Sequence, residues 1–224
     1  MKPIAHIYTD FKTKFGLPRQ SGLVKEITGK IVFEKQYSIA EAFKGLEDFT
    51  HIWILWEFSQ AKKETWKPTV RPPLLGGNKR MGVFATRSPF RPNHLGLSSV
   101  RLIEVVDDAG RIELVVSGAD LVDGTPIYDI KPYVEYSDSH VGVRSGFVDS
   151  NKWKTLAVDF PPEFVGLFSP QDYKALCKVL ELDPRPQYHN DPERLYGMPF
   201  GGYDIHFTVT DSVLTVVDVV KMEQ

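Results

Sequence analysis

Arg87, Arg91 and Arg101 are interleaved with prolines and glycines in residues 76–102, GGNKRMGVFATRSPFRPNHLGLSSVRL. Pro89 and Pro92 fix φ and remove backbone donors on either side of Phe90, while Gly82 and Gly96 permit close backbone approach. Two prolines so placed deny the chain a helix or a central strand, so the segment reads as a rigid, pre-shaped loop leaving a short strand at residues 81–86. A rigid basic loop is suited to holding an anionic ligand. Residues 62–101 carry nine Lys or Arg against one acid, Glu64, which is +8 on a chain whose remainder is −10. Such a block points to a polyanionic partner, whether RNA, DNA, nucleotide or phosphometabolite, and a solvated basic face would have the same composition.

Three more segments share this character. In LPRQSG, residues 17–22, a proline and a glycine bracket Arg19 and Gln20. In VDGTPIYDIKPY, residues 122–133, Asp123 and Gly124 form a turn with Asp129, Lys131 and Pro132 close behind. In LDPRPQY, residues 182–188, Arg185 lies between two prolines and Tyr188 follows. Each alone is a turn. Four such turns in one chain favour a shared pocket at one end of a barrel. The familiar motifs are absent: there is no GxxxxGK[ST] loop, no GxSxG elbow, no HExxH, and no GxGxxG after a first strand. The six histidines show no metal-ligand pairing, so no metal is expected, and His94 within the loop is a weak candidate base.

The elements that must position these residues follow from periodicity. Apolar runs at 4–8, 23–27, 30–33, 50–58, 81–86, 97–106 and 111–118 have strand length. Thr28 with Gly29, and residues 107–110, read as hairpin connections. Many hairpin-linked strands predict a mainly β fold, a small antiparallel barrel. Ser38 followed by Glu41 has capping-box spacing, and Ile39, Ala42, Phe43 and Leu46 continue a helical stripe that would pack across the barrel. Residues 50–58 are apolar on both faces, which predicts a strand covered on both sides, with Trp53 and Trp56 in the core. Polar, weakly periodic sequence after Tyr133 reads as a linker or excursion over 136–160. It divides a barrel at 1–135 from a small α+β unit at 161–224. In that unit Ser169 and Pro170 start a helix carrying Tyr173, Leu176, Cys177 and Leu180, stopped at Asp183 and Pro184, and a hairpin turning at Asp211 and Ser212 ends the chain. Cys177, the single cysteine, excludes a disulfide framework and reads as a small buried apolar residue. No apolar run approaches the roughly 18 residues of a membrane span, and the N-terminus lacks a signal-peptide core, so a cytoplasmic location is expected.

Taken together, the early PRQ, KPTVRPPLLGGN, GVFATRSPFRPN followed by LGLS, DLVDGTPIYDIKPY and the late DPRPQY resemble the TrmO (TsaA-like) family, over nearly the whole chain and in the family's order. The resemblance implies a β-barrel methyltransferase that uses S-adenosylmethionine. Its substrate would be the exocyclic amine of N6-threonylcarbamoyladenosine beside the anticodon in tRNA, and its assembly a homodimer. It implies cofactor contacts at Pro18, Arg19, Gln20, Ser59, Gln60, Arg87, Leu97, Asp123, Gly124, Thr125 and Pro126, with Arg87 on the methionine carboxylate and the backbone of the DGTP turn on adenine. Asp123, Asn93 or a carbonyl next to one of the prolines are the candidate acceptors for the amine. Lys79, Arg80, Arg91, Arg185 and Tyr188 are assigned to the tRNA anticodon stem-loop. The chain departs from the family's pattern at Ser59, where histidine is expected, and at His94 and Leu95, where proline and isoleucine are expected. A non-catalytic module binding cofactor and RNA, or a methyltransferase for a small molecule, would carry the same motifs.

Overall fold

A computed structural model gives the fold and describes residues 1–61, 65–186 and 191–222. Its strands are, in chain order, β1 (Ala5–Tyr8), β2 (Thr28–Phe33), β3 (His51–Glu57), β4 (Thr69–Val70), β5 (Met81–Gly82), β6 (Leu95–Asp108), β7 (Arg111–Ser117), β8 (Thr125–Pro132), β9 (Ala157–Asp159), β10 (Tyr196–Phe200), β11 (Tyr203–Thr210) and β12 (Val213–Lys221). Six of them close into a barrel in the order β1-β2-β7-β6-β3-β8, every pair antiparallel. Closure leaves no sheet edge open to another chain. Register places Ile7 opposite Ile31 and Ile31 opposite Leu114, all fully buried, so alternate residues of neighbouring strands fill the interior. The long hairpin of β6 and β7 turns at Ala109 and Gly110, between the residues expected there.

Three expectations fail locally. The stretch expected as one helix forms three 3-10 turns, Lys35–Tyr37, Ala40–Phe43 and Leu46–Asp48. Ser38 does not cap it; its hydroxyl donates to the Gly110 carbonyl (3.1 Å) and accepts from the Ile112 amide (2.6 Å), and Gly45 at φ 84° breaks the helical path. The apolar stripe still reaches the barrel, since Phe43 is buried edge-on against Phe33 with centroids 4.6 Å apart. Residues 23–27 are not a strand, and Thr28 and Gly29 are the first pair of β2 rather than a turn. Finally, β3 alternates: Ile52, Ile54 and Trp56 are buried, whereas Trp53 and Leu55 are half-buried. Trp53 instead donates its indole N–H to Asp138 at 2.9 Å, on α1 (Glu135–Asp138).

A second core lies beyond the barrel. After α1 come α2 (Phe147–Ser150), α3 (Pro162–Val165) and α4 (Pro170–Glu181). α4 starts as its sequence requires, with Pro170 in the first turn and Ser169 accepting from the Asp172 amide at 3.1 Å. It packs Ala175, Leu176, Val179 and Leu180 into a core shared with a sheet of order β10-β11-β12-β9, in which β9 runs parallel to β12. Asp211 and Ser212, at φ 49° and 67°, make the hairpin turn. Cys177 is half-buried, and burial pushes its thiol pKa up, the inert state expected of a packed cysteine. This second core also takes Phe11, Val24 and Ile27 from between β1 and β2. Residues 9–27 therefore leave the barrel, anchor in the other unit and return.

Gly96 on β6 faces the ring of Trp56, and a β-carbon there would fall 2.5 Å from the ring's Cζ2 and 2.8 Å from its Cδ2. Gly96→Ala is expected to destabilise the fold by about 1–3 kcal/mol through overpacking, read as a lower denaturant midpoint with an unchanged slope.

Candidate functional site at the barrel rim

The excursion of residues 9–27 carries the PRQ turn to the junction of the two cores. Pro18 is buried. Arg19 donates to the carbonyls of Leu182 and Asp183, both at 2.5 Å, and its guanidinium lies 3.9 Å from the centre of the Trp153 ring. Burial lowers its pKa and the Asp183 charge opposes that shift. Gln20 donates to the Arg19 carbonyl at 2.5 Å, and its side-chain oxygen accepts from Arg87. The PRQ turn, the loop at Arg87 and the turn at Leu182 and Asp183 thus meet through Arg19, Gln20 and Arg87.

The remaining bracketed segment is tied to the same excursion. Asp123 accepts from the Thr9 amide at 2.9 Å and from Lys12 Nζ at 2.7 Å, and its own amide donates to the Phe11 carbonyl at 2.8 Å. The amides of Gly124 and Thr125 donate to Ile7 and Val122 carbonyls, and the buried Thr125 hydroxyl donates to Val122 as well. Those N–H groups are committed to the fold, so a backbone reading of adenine at DGTP falls to carbonyl oxygens. Pro126 pairs with His6 inside the barrel wall. Two open grooves lie apart from this cluster: one of about 350 Å³ beside Lys25, Arg101 and Gln171, the other of about 500 Å³ beside His6, Glu34 and Arg111.

The proline-bracketed loop is rigid for a reason that composition alone does not give. Arg91 donates to the carbonyls of Thr86 (2.6 Å) and Val83 (3.3 Å), closing the loop across its own neck. Thr86 Oγ1 donates to Val83 O at 2.9 Å and accepts from the Ser88 amide at 3.3 Å, and Ser88 Oγ accepts from the Phe90 amide at 3.3 Å. Short polar side chains thus satisfy the amides that the two prolines leave over. The expected strand at 81–86 reduces to β5 and a 3-10 turn, Val83–Ala85, anchored by buried Val83. His94 adopts φ 50°, and its carbonyl accepts from the Phe58 amide at 2.9 Å. A proline ring would hold φ near −65° and forbid that geometry, so this backbone could not carry the proline that the resemblance leads one to expect here.

The residue that sequence reasoning passed over is Asp120, between fully buried Ala119 and Leu121. The buried Trp56 indole donates to Ser98 Oγ at 3.0 Å, and Ser98 donates to Asp120 Oδ1 at 2.6 Å. Burial raises the Asp120 pKa above 3.8, opposed by bonds from Ser98, its own amide and the Ser21 amide, and by the charge of Arg87. A carboxylate therefore feels the charge of Arg87 and reaches the amide next to Gln20. Its signal in the sequence is an acid set in the otherwise apolar run ADLV, just before the DGTP turn.

The other expected residues are more scattered. Ser59 and Gln60 form an exposed 3-10 turn after β3, where the Gln60 carbonyl accepts from Lys14 at 2.8 Å. Leu97 is 58% exposed on β6, and Asn93 is exposed in the turn before it. Lys79 and Arg80 are exposed, Arg80 donating to Thr69 Oγ1 at 2.8 Å. Arg185 folds back on Asp183 with bonds of 2.9 and 3.0 Å, which fix its guanidinium within its own turn. Tyr188 lies outside the described residues. Among the described residues no His, Cys, Asp or Glu cluster could hold a metal, and no helix is long and apolar enough to cross a membrane.

Comparison with known proteins decides the lineage. The family model of the tRNA-methyltransferase O N-terminal domain matches residues 6–139, and that of the TrmO C-terminal domain matches residues 154–222. The chain belongs to the TrmO family. It is 42% identical over 217 residues to the Escherichia coli protein named tRNA (adenine(37)-N6)-methyltransferase, covering 93% of this chain and 92% of that protein. It is 39% identical over 153 residues to a Pyrococcus abyssi protein named as a probable S-adenosyl-L-methionine-binding protein, covering 68% of this chain and 78% of that one. The crystal structure of TrmO from Pseudomonas aeruginosa superimposes with a TM-score of 0.78 at 32% identity, covering 98% of this chain and 96% of that one. This chain therefore shares the TrmO architecture end to end, barrel and C-terminal unit alike.

Ser98→Ala removes one donor to Asp120 and leaves the Trp56 N–H without its acceptor. A loss of about 1–3 kcal/mol is expected, seen in denaturant unfolding. Because the folded pKa of Asp120 is raised, its contribution to stability is present below pH 3.8 and lost as pH rises through the folded value. Carboxyl carbon NMR should show Asp120 titrating above 3.8, and higher still in the Ser98 variant. Titration at or below 3.8 would contradict the buried environment described.

Proposed function

We propose that this protein transfers a methyl group from S-adenosylmethionine to the exocyclic amine of N6-threonylcarbamoyladenosine beside the anticodon of tRNA. The observation that carries this reading is the meeting of Arg87 with Gln20 of the PRQ turn in a chain alike over nine-tenths of its length to a tRNA (adenine(37)-N6)-methyltransferase. The donor set suits the cofactor. The exposed guanidinium of Arg87 matches the methionine carboxylate, Gln20 and the carbonyls of the DGTP turn offer polar contacts to adenine and ribose, and Asp123 supplies negative charge toward a sulfonium. Leu97, Ser59 and Gln60 would line the approach. When bound, the cofactor supplies an activated methyl that an amine nitrogen takes by in-line displacement.

What the chain contributes is placement. The adenine amine's lone pair is delocalised into its ring, so the site must hold it at about 3 to 3.5 Å from its target and accept a hydrogen bond from its N–H. Asp123, fixed by Thr9 and Lys12, and Asn93, on the turn before β6, are the side-chain acceptors we assign. Lys79, Arg80 and Arg91 belong to the basic face that meets the RNA backbone. In this reading the unit at 1–135 does the chemistry, 161–224 braces the PRQ turn, 136–160 joins them, the active form is a homodimer, and the location is cytoplasmic, where tRNA is found.

Incubation with S-adenosylmethionine and tRNA carrying the threonylcarbamoyl group is expected to add one methyl to that nucleoside, read by nucleoside mass spectrometry. No gain would leave a binding module, and a gain only on a small molecule, with salt-indifferent kinetics, would leave a metabolite enzyme. Arg87→Ala should weaken cofactor binding about 10- to 100-fold by calorimetry, since hydrogen bonds to charged groups contribute about 1.5–3 kcal/mol. Unchanged affinity would remove Arg87 from the carboxylate.

A further inference from the structure

The basic stretch carries a feature that cofactor binding does not use. Trp66 is 47% exposed and Phe84 is 70% exposed, yet they lie together, with ring centroids 6.1 Å apart and planes 29° from parallel. The protein buries Trp56 to 6% and packs most of its phenylalanines into two cores, so two adjacent aromatics left in solvent are an exception that calls for a partner. Their support is firm. Phe84 sits on the 3-10 turn anchored by buried Val83, whose amide donates to the Pro68 carbonyl at 2.9 Å, two residues from Trp66. The ribbon of β4 and β5 joins the two sides, pairing Thr69 with Gly82 and Val70 with Met81.

The surroundings are cationic. Arg91 lies 5.7 Å from the Phe84 ring centre, held there by the Thr86 and Val83 carbonyls, and Lys67, Arg71, Lys79 and Arg80 are exposed on the same ribbon and its flanks. A protein partner would favour an apolar centre depleted of lysine. Aromatic faces within a basic field are the arrangement that grips single-stranded nucleic acid, the rings taking unstacked bases and the cations taking phosphates. The pair also stands close to the site, since Phe84 precedes Arg87 by three residues and Arg91 ties the loop back to Thr86.

We propose that Trp66 and Phe84 form a stacking platform for an unstacked base of the RNA loop, with Arg91, Lys79 and Arg80 holding the adjoining backbone. This rests on the tRNA reading above and adds to it the surface by which a splayed loop is gripped.

The test uses the full chain and an anticodon stem-loop RNA, comparing wild type with Phe84→Ala, Trp66→Ala and the conservative Phe84→Trp. Both alanine variants should weaken RNA binding about 5- to 100-fold while Phe84→Trp retains it. Calorimetric affinity for S-adenosylmethionine and the unfolding midpoint should stay at wild-type values, since both rings are exposed. The slope of log affinity against log salt should be unchanged by the aromatic variants but fall by about one for Lys79→Ala or Arg80→Ala. RNA binding should quench tryptophan fluorescence in wild type, and Trp66→Phe should lose most of that quench. The platform is overturned if wild type binds RNA and both alanine variants bind within twofold of it. It is also overturned if wild type fails to bind RNA, or if Phe84→Ala instead dissociates an oligomer in sedimentation, which would assign the pair to a protein contact. Methyl transfer to tRNA with an unchanged KM in the alanine variants sinks the platform and leaves the enzyme reading standing. Stacking-dependent RNA binding without methyl transfer does the reverse.

Discussion

The segment between β1 and β2 is the constraint on which the arrangement depends. It leaves a closed barrel, plants Phe11, Val24 and Ile27 in the second core, and re-enters the barrel as β2. Burying these three side chains supplies the hydrophobic attachment, at about 1.5–3 kcal/mol for each large apolar residue. The polar attachment is Arg19. Burying a guanidinium is unfavourable unless its donors are met, and here two carbonyls at the end of α4 and the face of Trp153 meet them. The C-terminal unit is therefore part of what holds Gln20 opposite Arg87, rather than an ornament to a self-sufficient barrel.

A second polar chain does the same work from inside the barrel. Trp56, Ser98 and Asp120 run from the packed interior to the rim, each donating to the next. A half-buried carboxylate is unfavourable on its own, and its raised pKa records that cost. The protein retains it where an arginine and two loop amides gain from it. Fully connected polar chains of this kind fix one geometry, because any other leaves a buried donor or acceptor unmet. Gly96 belongs to the same design: only a residue without a β-carbon lets β6 pass the Trp56 ring.

The proline loop shows how a site is made rigid without regular secondary structure. Prolines remove donors, hydroxyls of Thr86 and Ser88 satisfy the amides that remain, and Arg91 crosses the neck. Rigidity gained in this way leaves the outer faces of the loop open to a ligand. The basic residues and the exposed aromatic pair occupy those faces, while the inner side is committed to the barrel rim.

By itself the sequence determined the barrel, the C-terminal helix with its Ser169 cap and the final hairpin. These are written in short-range terms: alternation, cap residues, turn chemistry and a recognisable order of motifs. It misread residues 38–46 as a helix because capping-box spacing and a 3.6-residue stripe are local signals, and the hydroxyl of Ser38 is claimed by the distant hairpin at Gly110 and Ile112. It misread 23–27 as a strand because an apolar run does not say which core it enters. Tertiary structure alone decided that Arg19 and Arg185 brace turns, that the DGTP amides are already engaged, and that Asp120 takes the Ser98 hydroxyl. In each case the deciding partner is either far away in sequence or a backbone carbonyl, and carbonyls are identical at every position until the fold arranges them.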